Sequence, residues 1–273
     1  MPVARLAVDL SPAVAPVRSG AALAAQRSID LEIAGLCKSF DRQRKILRDV
    51  SLRVPQGQSV ALVGANGTGK STLLRCCLRL IEPDAGRISL LGREVRNLRR
   101  AALRKLRAEV GFVFQRHNLV TQLSVLSNVI HGAQARHAGP QVWYQAFSPR
   151  RLREEAMQCL EQVGLADFAA RRADRLSGGQ SQRVAIARTL MQRPRLMFAD
   201  EPVASLDPKT GEEVMQLFAE LIRRQHLTLV FTSHHIDHAL RFGDRVVALR
   251  QGEVVLDSAA DTLDAQTIRQ IYD

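Results

Sequence analysis

Gly64-Ala65-Asn66-Gly67-Thr68-Gly69-Lys70-Ser71 is the stretch on which the fold turns. It fits the pattern G-x-x-x-x-G-K-[ST] and stands in the context that gives that pattern meaning. Ser59–Val63 ahead of it is a short apolar run of the buried-strand type, and residues 70–80 behind it read as a helix. Glycines let successive backbone N–H groups curl around a phosphate, while the helix N-terminus adds partial positive charge. Lys70 is expected to reach the β- and γ-phosphates, and the Ser71 hydroxyl to bind Mg²⁺. The candidate nucleotide ligands here are Gly64, Ala65, Asn66, Gly67, Thr68, Gly69, Lys70, Ser71 and Thr72. Alone, this loop implies nucleotide binding and no more.

Two further stretches give it chemistry. Leu196-Met197-Phe198-Ala199-Asp200-Glu201 is an apolar strand ending in two carboxylates. Carboxylates buried at a strand tip are costly without a cation. Beside a phosphate loop, Asp200 can hold Mg²⁺ through water and Glu201 can polarise the attacking water. Without that loop, a helix cap or surface turn would explain the pair. Leu176-Ser177-Gly178-Gly179-Gln180 reads as a helix start, with Ser177 as cap and Gln180 completing an S-x-x-Q box. Capping leaves the glycine pair unexplained, whereas exposed backbone N–H groups suit a close-approaching phosphate.

Around these stretches, strand and helix patterns alternate. Residues 30–40 read as a strand, and Val50, Leu52 and Val54 alternate with polar neighbours in a second. Pro55-Gln56-Gly57 is a turn, and Pro83-Asp84-Ala85-Gly86 leads into a strand at 87–91. From about 116 to 180 the pattern is helical, with Leu152, Ala156, Leu160 and Val163 on one stripe. Residues 132–149 interrupt it, with glycine and proline beside Trp143, Tyr144 and Phe147. Leu227–Thr232 is strand-like, and Val214, Leu217, Phe218, Leu221 and Ile222 give an amphipathic helix. Residues 245–250 and 253–257 bracket Gln251-Gly252 as a hairpin. The alternation predicts an α/β layered core.

With 273 residues, 46% of them hydrophobic, the chain can bury a sizeable core. No apolar run approaches the ~18–20 residues needed to cross a bilayer. Pro2, Arg5 and Asp9 break the start, so a secretory signal is not expected and a cytosolic chain is. Residues 1–28 are Ala/Pro-rich without periodicity, and a mobile extension is expected there. Cys37, Cys76, Cys77 and Cys159 lack ligand spacing and read as reduced structural thiols. The net charge of +12 attracts polyanions without choosing among them. Residues 93–107 concentrate it in Arg93, Arg96, Arg99, Arg100, Arg104, Lys105 and Arg107. A solvated helix face is expected, with lipid headgroups or an acidic partner as the alternative.

In this order the motifs resemble those of the ABC ATPases, over roughly residues 29–258. The resemblance implies an α/β P-loop NTPase core with an antiparallel β subdomain, a helical subdomain at about 116–180, and a C-terminal helix in 259–273. It makes Gln115 the Q-loop glutamine, a nucleotide and metal ligand beside Ser71 and Asp200. Ser205-Leu206-Asp207 matches the D-loop. His234 matches the switch histidine, chosen over His235 because Ile236-Asp237-His238-Ala239-Leu240 then falls in the family's register. Phe40 occupies the place of the adenine-stacking aromatic. Lys70, Glu201 and His234 are thereby the expected catalytic residues. The resemblance also implies two copies facing head to tail. Each ATP, with Mg²⁺, would lie between the P-loop of one copy and Ser177, Gly178, Gly179 and Gln180 of the other, with Asp207 close by.

A finer resemblance is to the ATP-binding subunits of phosphonate importers. It is carried by Gln115–Gly132, Ala199–Pro208, His234–Arg241 and Val247–Gly252, together with the aromatic interruption around Trp143. Ser181, where such proteins often have a second glutamine, departs from it, as does the N-terminal extension. It implies a peripheral subunit on the cytoplasmic face of the inner membrane, docked on permease subunits. A periplasmic or lipid-anchored solute-binding protein would take part indirectly, and no nucleic acid would. Import of phosphate or an amino acid is an alternative. So is a non-transport ATPase, either of a carbon–phosphorus lyase complex or associated with nucleic acid, although no second nucleotide domain or zinc site favours the last.

Overall fold

A computed structural model describes residues 28–40, 45–137 and 139–272 of the chain. The expected extension at 1–28 lies outside the described residues except for Ser28. Strands β1 (Ile29–Ser39), β2 (Lys45–Pro55), β3 (Ser59–Val63), β4 (Ala85–Leu90) and β5 (Arg93–Glu94) come first. β1, β2, β4 and β5 form one antiparallel sheet in the order β2-β1-β4-β5. β3 instead joins β6 (Val110–Val113), β7 (Leu196–Ala199), β8 (Thr228–Thr232) and β9 (Arg245–Arg250), all parallel. β10 (Glu253–Ala259) turns back on β9 through Gln251-Gly252, giving the order β10-β9-β3-β8-β7-β6.

Parallel strands need crossovers, and helices supply them. They are α1 (Lys70–Cys77), α2 (Arg100–Ala108), α3 (Val125–Ile130), α4 (Pro140–Trp143), α5 (Arg150–Gln162), α6 (Gly178–Met191), α7 (Pro208–Arg224), α8 (Ile236–Phe242) and α9 (Ala265–Tyr272). The parallel strands are mostly apolar because helices or strands cover both of their faces. Alternate residues of one strand serve opposite cores. Val60, Leu62, Phe198 and Val230 pack with the antiparallel sheet, α1 and α2. Ala61, Val63, Met197 and Phe231 pack with α3 and α5 to α8. Leu152, Ala156, Leu160 and Val163 are buried in that second core, as their spacing predicts. Each leucine so buried contributes roughly 1.5–3 kcal/mol.

The structure differs from the sequence reading in two places. The helical stretch after residue 116 is broken: α3 starts only at Val125, capped by Ser124, whose side chain accepts the Ser127 N–H, and runs into a 3₁₀ turn at His131–Ala135. The basic run at 93–107 is the expected solvated face only in part: Arg96, Arg99, Arg100, Arg104 and Lys105 are exposed. Arg93 pairs with Glu109, and Arg107 donates to the carbonyls of Leu78 and Arg79. Arg107 thus satisfies two carbonyls of the turn that follows α1.

Candidate active site

The loop between β3 and α1 is shaped by contacts that tolerate little else. Gly64 has φ +146, and a Cβ there would lie 2.3 Å from the Leu249 carbonyl oxygen of β9. Alanine at this position would therefore displace the strand or the loop. Lys70 opens α1 with its side chain 4% exposed, and Nζ donates to the carbonyls of Gly64 (2.8 Å) and Ala65 (3.1 Å). Burial pulls the Lys70 amine below its ordinary value, while Glu201 and Asp200 pull it back up.

Those two carboxylates stand at the end of β7. The Asp200 side chain is nearly fully buried, and its Oδ1 accepts from the Ser71 hydroxyl (2.7 Å) and the Thr232 hydroxyl (3.1 Å). Its Oδ2 lies 3.6 Å from Arg75 Nη2. Glu201 follows with φ 46, a left-handed backbone that costs a non-glycine residue roughly 1–2 kcal/mol. Its N–H donates to Thr232 Oγ1 (2.7 Å), which helps hold the turn. The turn aims the carboxylate into a gap: Oε1 is 4.0 Å from Lys70 Nζ, and Oε2 is 3.9 Å from His234 Nδ1. Burial depresses the His234 pKa, and the neighbouring His235 and Lys70 reinforce that against Glu201. The imidazole is thus neutral at pH 7, with a hydrogen-bonding nitrogen to offer.

An open groove of about 500 Å³ brings together Phe40, Asn66, Gly67, Gly69, Lys70, Ser71, Thr72, Gln115 and Glu201. Phe40 is 63% exposed at its mouth, with Lys38 Nζ 5.7 Å from the ring centroid. The groove suits a nucleotide: a flat apolar platform at one end and a backbone cradle with a buried cation at the other. Ser71 and Asp200 offer a hydroxyl and one carboxylate. That hard-oxygen set fits Mg²⁺, which keeps its waters and takes most ligands from phosphates.

The remaining predicted residues lie elsewhere. Ser177 and Gln180 form the expected capping box: Gln180 N–H donates to Ser177 Oγ (3.3 Å) and Ser177 N–H to Gln180 Oε1 (3.0 Å). Asp207 caps α7 by accepting the Thr210 N–H at 3.1 Å. Neither segment lines the groove beside Lys70. The two instead pack on each other. A Cβ on Gly179 would be 2.4 Å from Thr210 Cγ2, and one on Gly178 would be 3.0 Å from Leu206 Cδ2. Close packing thus gives the glycine pair a structural reason beside the phosphate-facing one. Sequence reading missed Thr232, which ties Asp200 to Glu201, and Ile46, which lines the groove. Thr232 could have been found as the polar end of an apolar strand just before His234. Ile46 carries no such signal.

Comparisons with known proteins give the family. Residues 47–204 match the family model described as ABC transporter. A phosphonates import ATP-binding protein of Frankia casuarinae is 48% identical over 87% of this chain and 94% of its own length. Its counterpart in Nitratidesulfovibrio vulgaris is 43% identical over 89% and 91%. Among solved structures, the dimeric ATP-binding cassette MJ0796, in a post-hydrolysis state bound to ADP and Pi, superimposes with a TM-score of 0.74. It is 34% identical and covers 84% of this chain and 98% of its own. CbiO1 of Clostridium perfringens, part of the ABC transporter complex cbiONQ, gives 0.76 at 27% identity, covering 89% and 94%. The chain belongs to the ABC transporter family, among the phosphonates import ATP-binding proteins.

Proposed function

We propose that this chain binds and hydrolyses ATP to energise the import of phosphonates, working as one of two copies beneath a membrane permease. The observation that carries the hydrolytic part is the placing of Glu201 between Lys70 and His234, at 4.0 and 3.9 Å, in a groove with a phosphate cradle. The solute class comes from relatives 43% to 48% identical over nearly nine-tenths of the chain.

Phe40 stacks on the adenine, and the Gly64–Thr72 backbone with Lys70 holds the phosphates. Ser71, Asp200 and Gln115 would hold Mg²⁺, which would supply positive charge against the phosphate oxygens. Glu201 accepts a hydrogen bond from the attacking water and draws off its proton as the water oxygen bonds to the γ-phosphorus and the bond from that phosphorus to the bridging oxygen breaks, releasing phosphate and ADP. Neutral His234 hydrogen-bonds the γ-phosphate and keeps Glu201 aimed. Most of the barrier is lowered by positioning and by charge already in place. Ser177–Gln180 and Asp207 face the ATP of the partner copy, so hydrolysis waits for the two copies to close. Re-opening moves the helices around 116–131, where the permease is seated, at the cytoplasmic face of the inner membrane. No helix among the described residues is long and apolar enough to cross a membrane, in keeping with a peripheral seat.

The test is the complex of this chain with its permease and solute-binding protein in proteoliposomes. Methylphosphonate should raise ATP hydrolysis several-fold and appear inside the vesicles. Stimulation by phosphate or an amino acid alone would overturn the solute class. Hydrolysis without any uptake would overturn the importer reading.

A further inference from the structure

Glu212 on α7 holds two side chains of α8 at once. His238 Nε2 lies 3.1 Å from one carboxylate oxygen, and Arg241 pairs with the other. The His238 side chain is 15% exposed. Its Nδ1 is buried, without a hydrogen-bond partner among the described residues. An imidazole so placed is neutral with its hydrogen on Nε2. That nitrogen donates to Glu212, and a bare lone pair on Nδ1 bears burial better than an unpartnered N–H would.

From His238 the rings continue toward the chemistry. His235 is 5.1 Å from His238, centroid to centroid, and His234 is 4.0 Å from His235. Phe242 backs His238 from the other side at 5.7 Å. A narrow cavity with room for about one water is lined by Glu201, Thr232, His234, His235 and His238, so the row and the candidate base share one wall. Among the described residues no short hydrogen bond restrains the His234 ring, whose neighbours are Glu201 at 3.9 Å and the His235 ring.

Resting on the hydrolytic reading above, we propose that His238 is a positioning residue. Clamped to α7 by Glu212, it holds His235 and through it sets His234 beside Glu201. The first turn of α7 also carries Thr210, on whose methyl Gly179 packs. Through this clamp, the orientation of a copy's own histidine follows the helix that supports the segment serving its partner. The charged and titratable groups facing His238 are Glu212 from α7 and His235, Asp237 and Arg241 from its own end of the fold. Burial holds His238 below the ordinary imidazole value against the pull of Glu212, so the clamp stays in its neutral form at pH 7.

Steady-state ATP hydrolysis by the full chain, followed between about pH 5.5 and about pH 8.5, tests this. His238→Phe keeps the ring and loses the bond to Glu212. It should lower kcat about tenfold, leave KM for ATP within about twofold, and change the acid limb of the profile. Glu212→Ala should reproduce that loss, and the double variant should be no worse than either single one. Glu212→Gln keeps an acceptor for Nε2–H and should retain most of the rate. It also serves, with Glu212→Ala, where His238→Phe does not fold. Wild-type kcat and profile in both His238→Phe and Glu212→Ala would overturn the proposal, as would losses that multiply. His234→Ala separates the two layers. If it is inactive while His238→Phe is normal, only the positioning role fails. If it turns over like wild type, the hydrolytic reading fails and the positioning role with it.

Discussion

Glu201 sits in a left-handed backbone that only its neighbours hold in place, with Thr232 accepting its N–H and both carboxylate oxygens facing cationic or imidazole nitrogens. If it is the general base, Glu201→Gln removes the proton acceptor and keeps the shape. ATP binding, measured by equilibrium dialysis, should then stay within about threefold of wild type while hydrolysis falls by about 100-fold or more. Turnover at the wild-type rate would remove Glu201 from that role. A second residue-scale expectation concerns acid stability. Burial lowers the pKa of His117, and Arg188 adds to the effect, so the native state resists the proton more than the unfolded chain does. His234 and His238 are shifted the same way. As pH falls through and below the ordinary value of 6.5, the unfolded state takes up more protons and stability drops. The unfolding midpoint should fall between about pH 7.5 and about pH 5.5, and His117→Phe should blunt the fall. A midpoint that rises on acidification would contradict the sign.

At the scale of elements, α6 and α7 meet through their first turns, where a Cβ on Gly179 would lie 2.4 Å from Thr210 Cγ2. Gly179→Ala should destabilise this packing by about 1–3 kcal/mol. Thr210→Ser, which removes the clashing methyl, should recover much of the loss in thermal unfolding. A double variant as unstable as Gly179→Ala alone would place the strain elsewhere. The same region shows what sequence could and could not carry. Ser177 and Gln180 announced their capping box because it is local, a matter of spacing along one turn. The packing of Gly179 on Thr210 joins residues from separate helices and leaves no mark in either stretch. The parallel strands of the central sheet were legible for a similar reason: burial on both faces makes them mostly apolar, as in the run 60–63. Arg107 was misread because its role is set by carbonyls of the turn after α1, far back in the chain. Asp200, Glu201, Lys70 and His234 were each visible. Thr232, the hydroxyl that binds two of them together, was marked only as the polar end of an apolar strand, and a threonine there has many ordinary uses.

For the whole molecule, the groove beside Lys70 gathers Phe40, the phosphate loop, Gln115 and Glu201, while Ser177–Gln180 and Asp207 stand apart from it. A single copy therefore holds the cradle and the helix start apart, and in the arrangement proposed above a second copy facing it would complete a site from one of each. Mixing two disabled chains tests this most directly. Lys70→Ala spoils the cradle and spares the helix start; Ser177→Arg does the reverse. Each variant alone should be inactive, and mixing them in equal amounts should restore hydrolysis to roughly a quarter of the wild-type rate. That is the share of sites left intact by random pairing of copies. A mixture as inactive as its two parents would contradict a site shared between copies.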